Sequence, residues 1–145
     1  MRRTFLTMTV AAVMAAGSLM AGGFWLQLGN PEASTEAQKA NAVVTIIAAG
    51  CSDPAKAEIT ATAIGTVDGK RKSIPLSVTK LSKPGMFAIA QQWPKEGKWV
   101  IQLEGKSDGR VTSTLVTASP QGVDRLHAKS EMRTFAPKEV ESLLQ

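Results

Sequence analysis

From Ala42 onward, apolar and polar residues alternate with a period of two, the repeat of a strand with one dry and one wet face. Val43-Val44-Thr45-Ile46-Ile47-Ala48 opens this region as a β-branched run and predicts a buried strand. Cys51-Ser52-Asp53-Pro54 reads as a turn, after which Ala57, Ile59, Ala61 and Ala63 alternate with Glu58, Thr60 and Thr62. Asp68-Gly69 predicts a tight hairpin, and the return strand buries Ile74, Leu76 and Val78. Pro75 removes a ladder donor from that strand and so places it at a sheet edge. Lys83-Pro84-Gly85 turns the chain into a strand from Met86 to Gln92, with Phe87 and Ile89 on one side. After a turn at Pro94-Lys95-Glu96-Gly97, Trp99, Ile101 and Leu103 face inward along the next strand. Ser107-Asp108-Gly109 starts another hairpin, Val111 to Ala118 forms a sixth strand, and a seventh falls within residues 123–135.

Short strands at roughly ten-residue spacing, joined by Gly/Pro turns, predict an all-β fold. The expected architecture is an antiparallel immunoglobulin-like β-sandwich of about seven strands over residues 42–119. Residues 120–145 are an extension whose tail, Pro137 to Gln145, closes as a helical turn with Val140, Leu143 and Leu144 on its apolar side. Residues 24–41 are expected to be a polar connector. Asn30-Pro31-Glu32 is a helix start there, for a short helix over about 31–39.

Ahead of the strand pattern the periodicity vanishes. Arg2 and Arg3 lead into an uncharged stretch from Thr4 to Leu28, the basic and apolar regions of an export signal. Two fates are open to it. Ala21-Gly22-Gly23 before Phe24 offers signal peptidase small residues, with Ala15-Ala16-Gly17 as an earlier option, so 1–23 reads as a cleaved signal peptide. Retained, residues 4–28 are long enough to anchor the chain in the inner membrane, with Trp25 at the interface. Arg2-Arg3-Thr4-Phe5-Leu6 also looks like the twin-arginine export motif. Either way the folded part is expected outside the cytoplasm, periplasmic or secreted.

Export changes how the composition reads. Removing residues 1–23 leaves about 120 residues, enough for one core. The whole-chain pI of 9.6 overstates the basicity of that part, because Arg2 and Arg3 go with the leader while every acidic residue stays. Cys51 is the lone cysteine, so the core holds the fold without an internal disulfide. Its thiol is buried, paired with another chain, or reactive. Ala48-Ala49-Gly50-Cys51 faintly resembles a lipobox, but the apolar run before it is short and the −3 position lacks Leu.

Pro84-Gly85-Met86-Phe87, Trp93-Pro94 and Gly97-Lys98-Trp99-Val100-Ile101 together resemble the Pro-Gly-x-aromatic, Pro and Gly-x-Trp core of the FixH/YtkA-like group. These are small exported β-sandwich domains, and the resemblance covers about residues 43–118. It implies that Gly85 frees the chain to turn and that Phe87 and Trp99 pack between sheets. Some members of the group are membrane-anchored or associated with metal transport and oxidase assembly. The chain departs from any metal-binding version: His127, Cys51, Met86 and Met132 are scattered, whereas copper and zinc sites need two to four converging ligands.

Catalytic constellations are thin, and no enzyme activity, cofactor or metal is expected. Cys51 and His127 are the one conventional Cys/His pairing available. The carboxylates Glu96 and Glu104 flank one strand too far apart for glycosidase spacing. The clearest charge feature is the basic stretch 70–106, which sets eight Lys/Arg against Glu96 and Glu104. Its candidate partner-binding residues are Lys70, Arg71, Lys72, Lys83, Trp93 and Lys95, at a hairpin-loop end with Trp93 half exposed as an anchor. The partner class is an envelope protein or an anionic cell-surface polymer, with no nucleic acid, and membrane only through an uncleaved leader. The competing reading of the lysines is that they keep hairpin ends and edge strands soluble. A metal- or redox-handling role for Cys51 and a membrane-anchored accessory role of the FixH-like kind are the alternatives.

Overall fold

The computed structural model describes residues 23–145, and the leader reading of residues 1–22 lies outside them. In chain order the strands are β1 (Trp25–Gly29), β2 (Ala42–Ala49), β3 (Glu58–Val67), β4 (Lys70–Leu76), β5 (Thr79–Lys80), β6 (Met86–Ala90), β7 (Trp99–Ser107), β8 (Arg110–Ser119), β9 (Gly122–Val123) and β10 (Lys129–Glu131). Two short helices join them, α1 (Thr35–Lys39) and α2 (Pro137–Leu144). A four-stranded sheet runs β1-β2-β6-β5, and a six-stranded sheet runs β10-β8-β7-β3-β4 with β9 beside β8. Every pairing is antiparallel.

The alternation read along the chain sets the core. Val44, Ile46, Phe87 and Ile89 from one sheet meet Ala61, Ala63, Ile101, Leu103 and Val116 from the other, all buried. Each such aliphatic side chain contributes about 1.5–3 kcal/mol on leaving water. Two hairpins use Asp-Gly turns with both residues at positive φ, Asp68 and Gly69 (51° and 73°) and Asp108 and Gly109 (51° and 72°). This backbone twist matches the flanking strands. Pro75 lies in β4, and β4 is indeed an edge.

The expected connector over 24–41 is corrected at its N-terminal end. Phe24 and Leu26 are 2% and 4% exposed in the core, and β1 pairs with β2 from Trp25↔Ala49 to Gly29↔Thr45. Phe24 to Leu28 thus belong to the sandwich. The helix start expected at Asn30 opens a 3-10 turn over Pro31–Ala33, with Asn30 Oδ1 accepting from Glu32 N (3.0 Å), and α1 is capped separately by Ser34, whose Oγ accepts from Ala37 N (3.2 Å). Buried Ala37 packs on Leu81 and Ala88, and the Glu36 carboxylate accepts from Ser82 N (2.9 Å).

The C-terminal extension covers the outer face of the six-stranded sheet. Phe135 and Val140 are buried against Val100 and Leu115, with Ile64, Leu143 and Leu144 around them. That is why Val100 and Ile101, on opposite faces of β7, are both fully buried. Glu139 fixes the start of α2 by accepting from Ala136 N (2.8 Å).

Candidate functional site

Strand registers decide which basic residues share a surface. Val67 pairs with Lys70, and Gly65 has Lys72 on one side and Trp99 on the other. The β3–β4 hairpin and the loop carrying Trp93 to Lys98 therefore meet at one end of the sandwich. Lys72 and Trp99 stand two strand spacings apart, about 10 Å. Lys83 lies at the opposite end: the Gly85 carbonyl beside it accepts from Ala48 N (2.8 Å), and Gly85 sits against Pro54. The ten residues of β3 span about 30 Å between the two ends. The six sequence candidates are thus not one surface.

Their partners divide them further. Lys70, Lys72 and Lys95 are exposed and have no ion-pair partner among the described residues. Arg71 is committed to α2: Nε donates to Glu141 Oε1 (2.9 Å), Nη2 donates to Oε2, and Nη1 reaches Thr66 Oγ1. Lys98 Nζ lies 3.5 Å from the Gln145 carbonyl. Trp93 is 5% exposed and joins the core, so it is not the half-exposed anchor its loop position suggested. The chain turns its ring inward, while Gln91 Nε2 donates to its carbonyl at 2.8 Å.

The thiol and the imidazole are held apart. Cys51 is half-buried beside the β7–β8 turn, where Ser52 Oγ donates to Asp108 Oδ2 (3.0 Å). It lines a pocket of about 300 Å³ with Phe24, Ser107, Asp108 and Arg110. The buried Ser107 hydroxyl has no hydrogen-bond partner among the described residues. His127 is exposed near the far end of β8, with Nδ1 2.8 Å from Asp124 Oδ2, and Asp124 N donates to Thr117 O. The seven residue steps of β8 from Arg110 to Thr117 amount to about 23 Å. A Cys51–His127 dyad is not assembled, and no cluster of three metal-ligating groups occurs among the described residues.

Glu104 accepts from Thr134 Oγ1 (2.8 Å) and lies 3.7 Å from Lys106, well away from the loop that holds Glu96. The one strongly perturbed carboxylate is elsewhere. Two hydrogen bonds from Arg133 (2.8 Å each) and one from the Ala136 amide hold Glu139 down to about 2. This group organises the start of α2. Sequence reading missed the Arg71–Glu141 fork, because the two residues are 70 apart and nothing local links them. No protein family, curated protein or solved structure matches the chain.

Proposed function

We propose that this is an exported, non-enzymatic β-sandwich module that binds an anionic partner of the cell envelope through the β3–β4 hairpin end. One observation carries the reading: Lys70, Lys72 and Lys95 converge on that end, exposed and without ion-pair partners among the described residues. Clustered, unneutralised lysines raise the local potential and draw in polyanions. Phe24, the first core residue among the described residues, directly follows Ala21-Gly22-Gly23, small residues of the kind a signal peptidase accepts, and this supports the export reading.

The finer fold reading is immunoglobulin-like. The order β1-β2-β6-β5 corresponds to strands A-B-E-D, and β8-β7-β3-β4 to G-F-C with an added C′. The FixH/YtkA-like resemblance agrees with Gly85 at φ 77° and with Phe87 and Trp99 in the core.

The test is cosedimentation of the protein with envelopes of its own cells across a salt series. Binding is expected to fall with salt and to weaken at least about tenfold when Lys70, Lys72 and Lys95 are all changed to Glu. Lys83→Glu, at the other end, should bind as the parent does. Salt-insensitive binding, or a triple variant that binds normally, would sink the proposal.

A further inference from the structure

Cys51 stands at the end of the sandwich away from the hairpin lysines, just past β2 and beside the turn from β7 into β8. Its neighbour fixes it there. Gly50 has φ 76°, and a Cβ on it would overlap the Gly23 carbonyl oxygen and lie 2.7 Å from the Trp25 ring. A side chain at position 50 would be strained and blocked, so the backbone that delivers Cys51 is held against the start of β1. Cys51 is a free, half-buried thiol whose Sγ donates to the Ala48 carbonyl at 3.8 Å. Ser107 lines the same space of about 300 Å³. By the period of two it shares the core-facing side of β7 with Ile101, Leu103 and Gly105, and it is 6% exposed. Its hydroxyl has no hydrogen-bond partner among the described residues, and an unpaired buried hydroxyl is a standing cost that a ligand removes. Two residues of opposite charge, Asp108 and Arg110, complete the polar lining. Asp108 Oδ2 accepts from Ser52 Oγ (3.0 Å), and the carboxylate keeps Oδ1 as a further acceptor.

We infer that this pocket takes a small thiol of the amino-acid type onto Cys51 as a mixed disulfide. The donor is the corresponding disulfide, R–S–S–R, of which cystine is the simplest. Cys51 gives its proton to solvent, and its thiolate attacks one sulfur of the donor. A Cys51–S–S–R bond forms, the donor S–S bond breaks, and the second half leaves as a thiolate that takes up a proton. Cys51 is oxidised and the departing half is reduced, so no other oxidant enters. The lining selects the amino-acid type. An α-carboxylate accepts from the Ser107 hydroxyl in the positive field of Arg110, and an α-ammonium donates to Asp108. A neutral disulfide answers neither charge. The site does not depend on the anionic-partner reading. It lies at the end of β3 where Glu58 pairs with Lys106, about 30 Å from the end where Val67 pairs with Lys70.

The experiment is intact-mass kinetics on the reduced protein as its cells produce it, with L-cystine and with hydroxyethyl disulfide. Each reagent is run on native and on urea-unfolded protein. The unfolded rate gives the intrinsic reactivity of the thiol, so the native-to-unfolded ratio reads the pocket. The expected result is one cysteinyl group added to the native protein, with a ratio for cystine at least about tenfold above that for hydroxyethyl disulfide. Ser107→Ala removes an unpaired hydroxyl and should fold at least as well as the parent. Asp108→Asn keeps an acceptor for Ser52 and a residue that tolerates the positive φ of the turn. Each is expected to lower the cystine ratio at least about threefold and to leave the neutral ratio unchanged. A native thiol that cystine does not modify overturns the inference. So do equal ratios for the two disulfides, the result for a pocket that holds only water, or a preference for cystine that either variant keeps in full.

Discussion

Gly65→Ala tests whether the hairpin end of the core is organised by a tryptophan lying on a glycine. Gly65 on β3 faces Trp99 on β7, and Trp99 is 1% exposed. A Cβ at position 65 would meet the ring at 2.4 Å from Cδ2, 2.5 Å from Cε3 and 2.8 Å from Cε2. Carbon atoms pack at about 3.5–4.0 Å, so the ring has to retreat by about 1 Å into a filled core. Overpacking of this kind costs about 1–3 kcal/mol. The retreat also strains the Trp99 Nε1 donation to the Glu96 carbonyl (3.1 Å), worth about 1 kcal/mol. Against this, alanine in a strand is favoured over glycine by about 0.5–1 kcal/mol. The net expectation is a loss of about 1.5–3 kcal/mol, a large part of a typical domain's stability. Urea unfolding followed by far-ultraviolet circular dichroism reads it without relying on tryptophan emission. In a Trp99→Leu background the added methyl has room, and the same substitution should be close to neutral or mildly stabilising. A neutral Gly65→Ala, or an equal loss in both backgrounds, would refute the reasoning.

Three other outcomes follow from the C-terminal extension. Phe135→Ala removes the ring that lies 5.8 Å from Lys129 Nζ and 5.5 Å from the Arg133 guanidinium while filling the α2 seat. It should cost about 3 kcal/mol in urea unfolding and leave the tail open to protease trimming. Arg71→Met breaks the fork to Glu141 between side chains 40% and 43% exposed, so its thermal melt should shift by less than about 1 kcal/mol equivalent. Glu139 is held down to about 2, chiefly by its Arg133 hydrogen bonds and then by the Ala136 amide, while Arg133 is raised. A depressed carboxylate stabilises the fold above its unfolded value of about 4.3, and that contribution fades as pH falls towards 2. Amide-exchange protection of α2 should decline over that window in the parent, whereas Glu139→Gln should start lower and show no such decline.

The parts of the fold that were legible are those whose signal is local. Asp68-Gly69 and Asp108-Gly109 mark hairpins because few other dipeptides tolerate two successive positive φ angles. Pro75 marks an edge because it lacks a donor, and Trp99, Ile101 and Leu103 mark a dry face by their period. β1 was missed for an equally physical reason. Its five residues continue an uncharged run from Thr4, so they read either as the end of a retained membrane segment or as the start of a polar connector. Only the pairing of Trp25 to Gly29 with β2 separates them. The helix start at Asn30 was legible but opens a 3-10 turn; α1 itself begins at Ser34, and its seat is one small residue, Ala37, which gives no helical periodicity to read.

The charged end shows where sequence reasoning stops in principle. Counting cations in a stretch gives a charge density, and that density is real: Lys70, Arg71, Lys72 and Lys95 do lie at one end. A count cannot say which cations are already neutralised. Arg71 is, by a carboxylate 70 residues away that arrives only because α2 docks on the outer face of β7 and β8. Its strand neighbours Lys70 and Lys72 point to the opposite side of β4, which Glu141 does not approach. Docking of the C-terminal helix therefore sorts three consecutive cations into one that is paired with Glu141 and two, on the side of Ile74 and Leu76, that stay exposed at the hairpin end. It is the period of two along β4, acting with a distant helix, that leaves the lysines as the free basic surface.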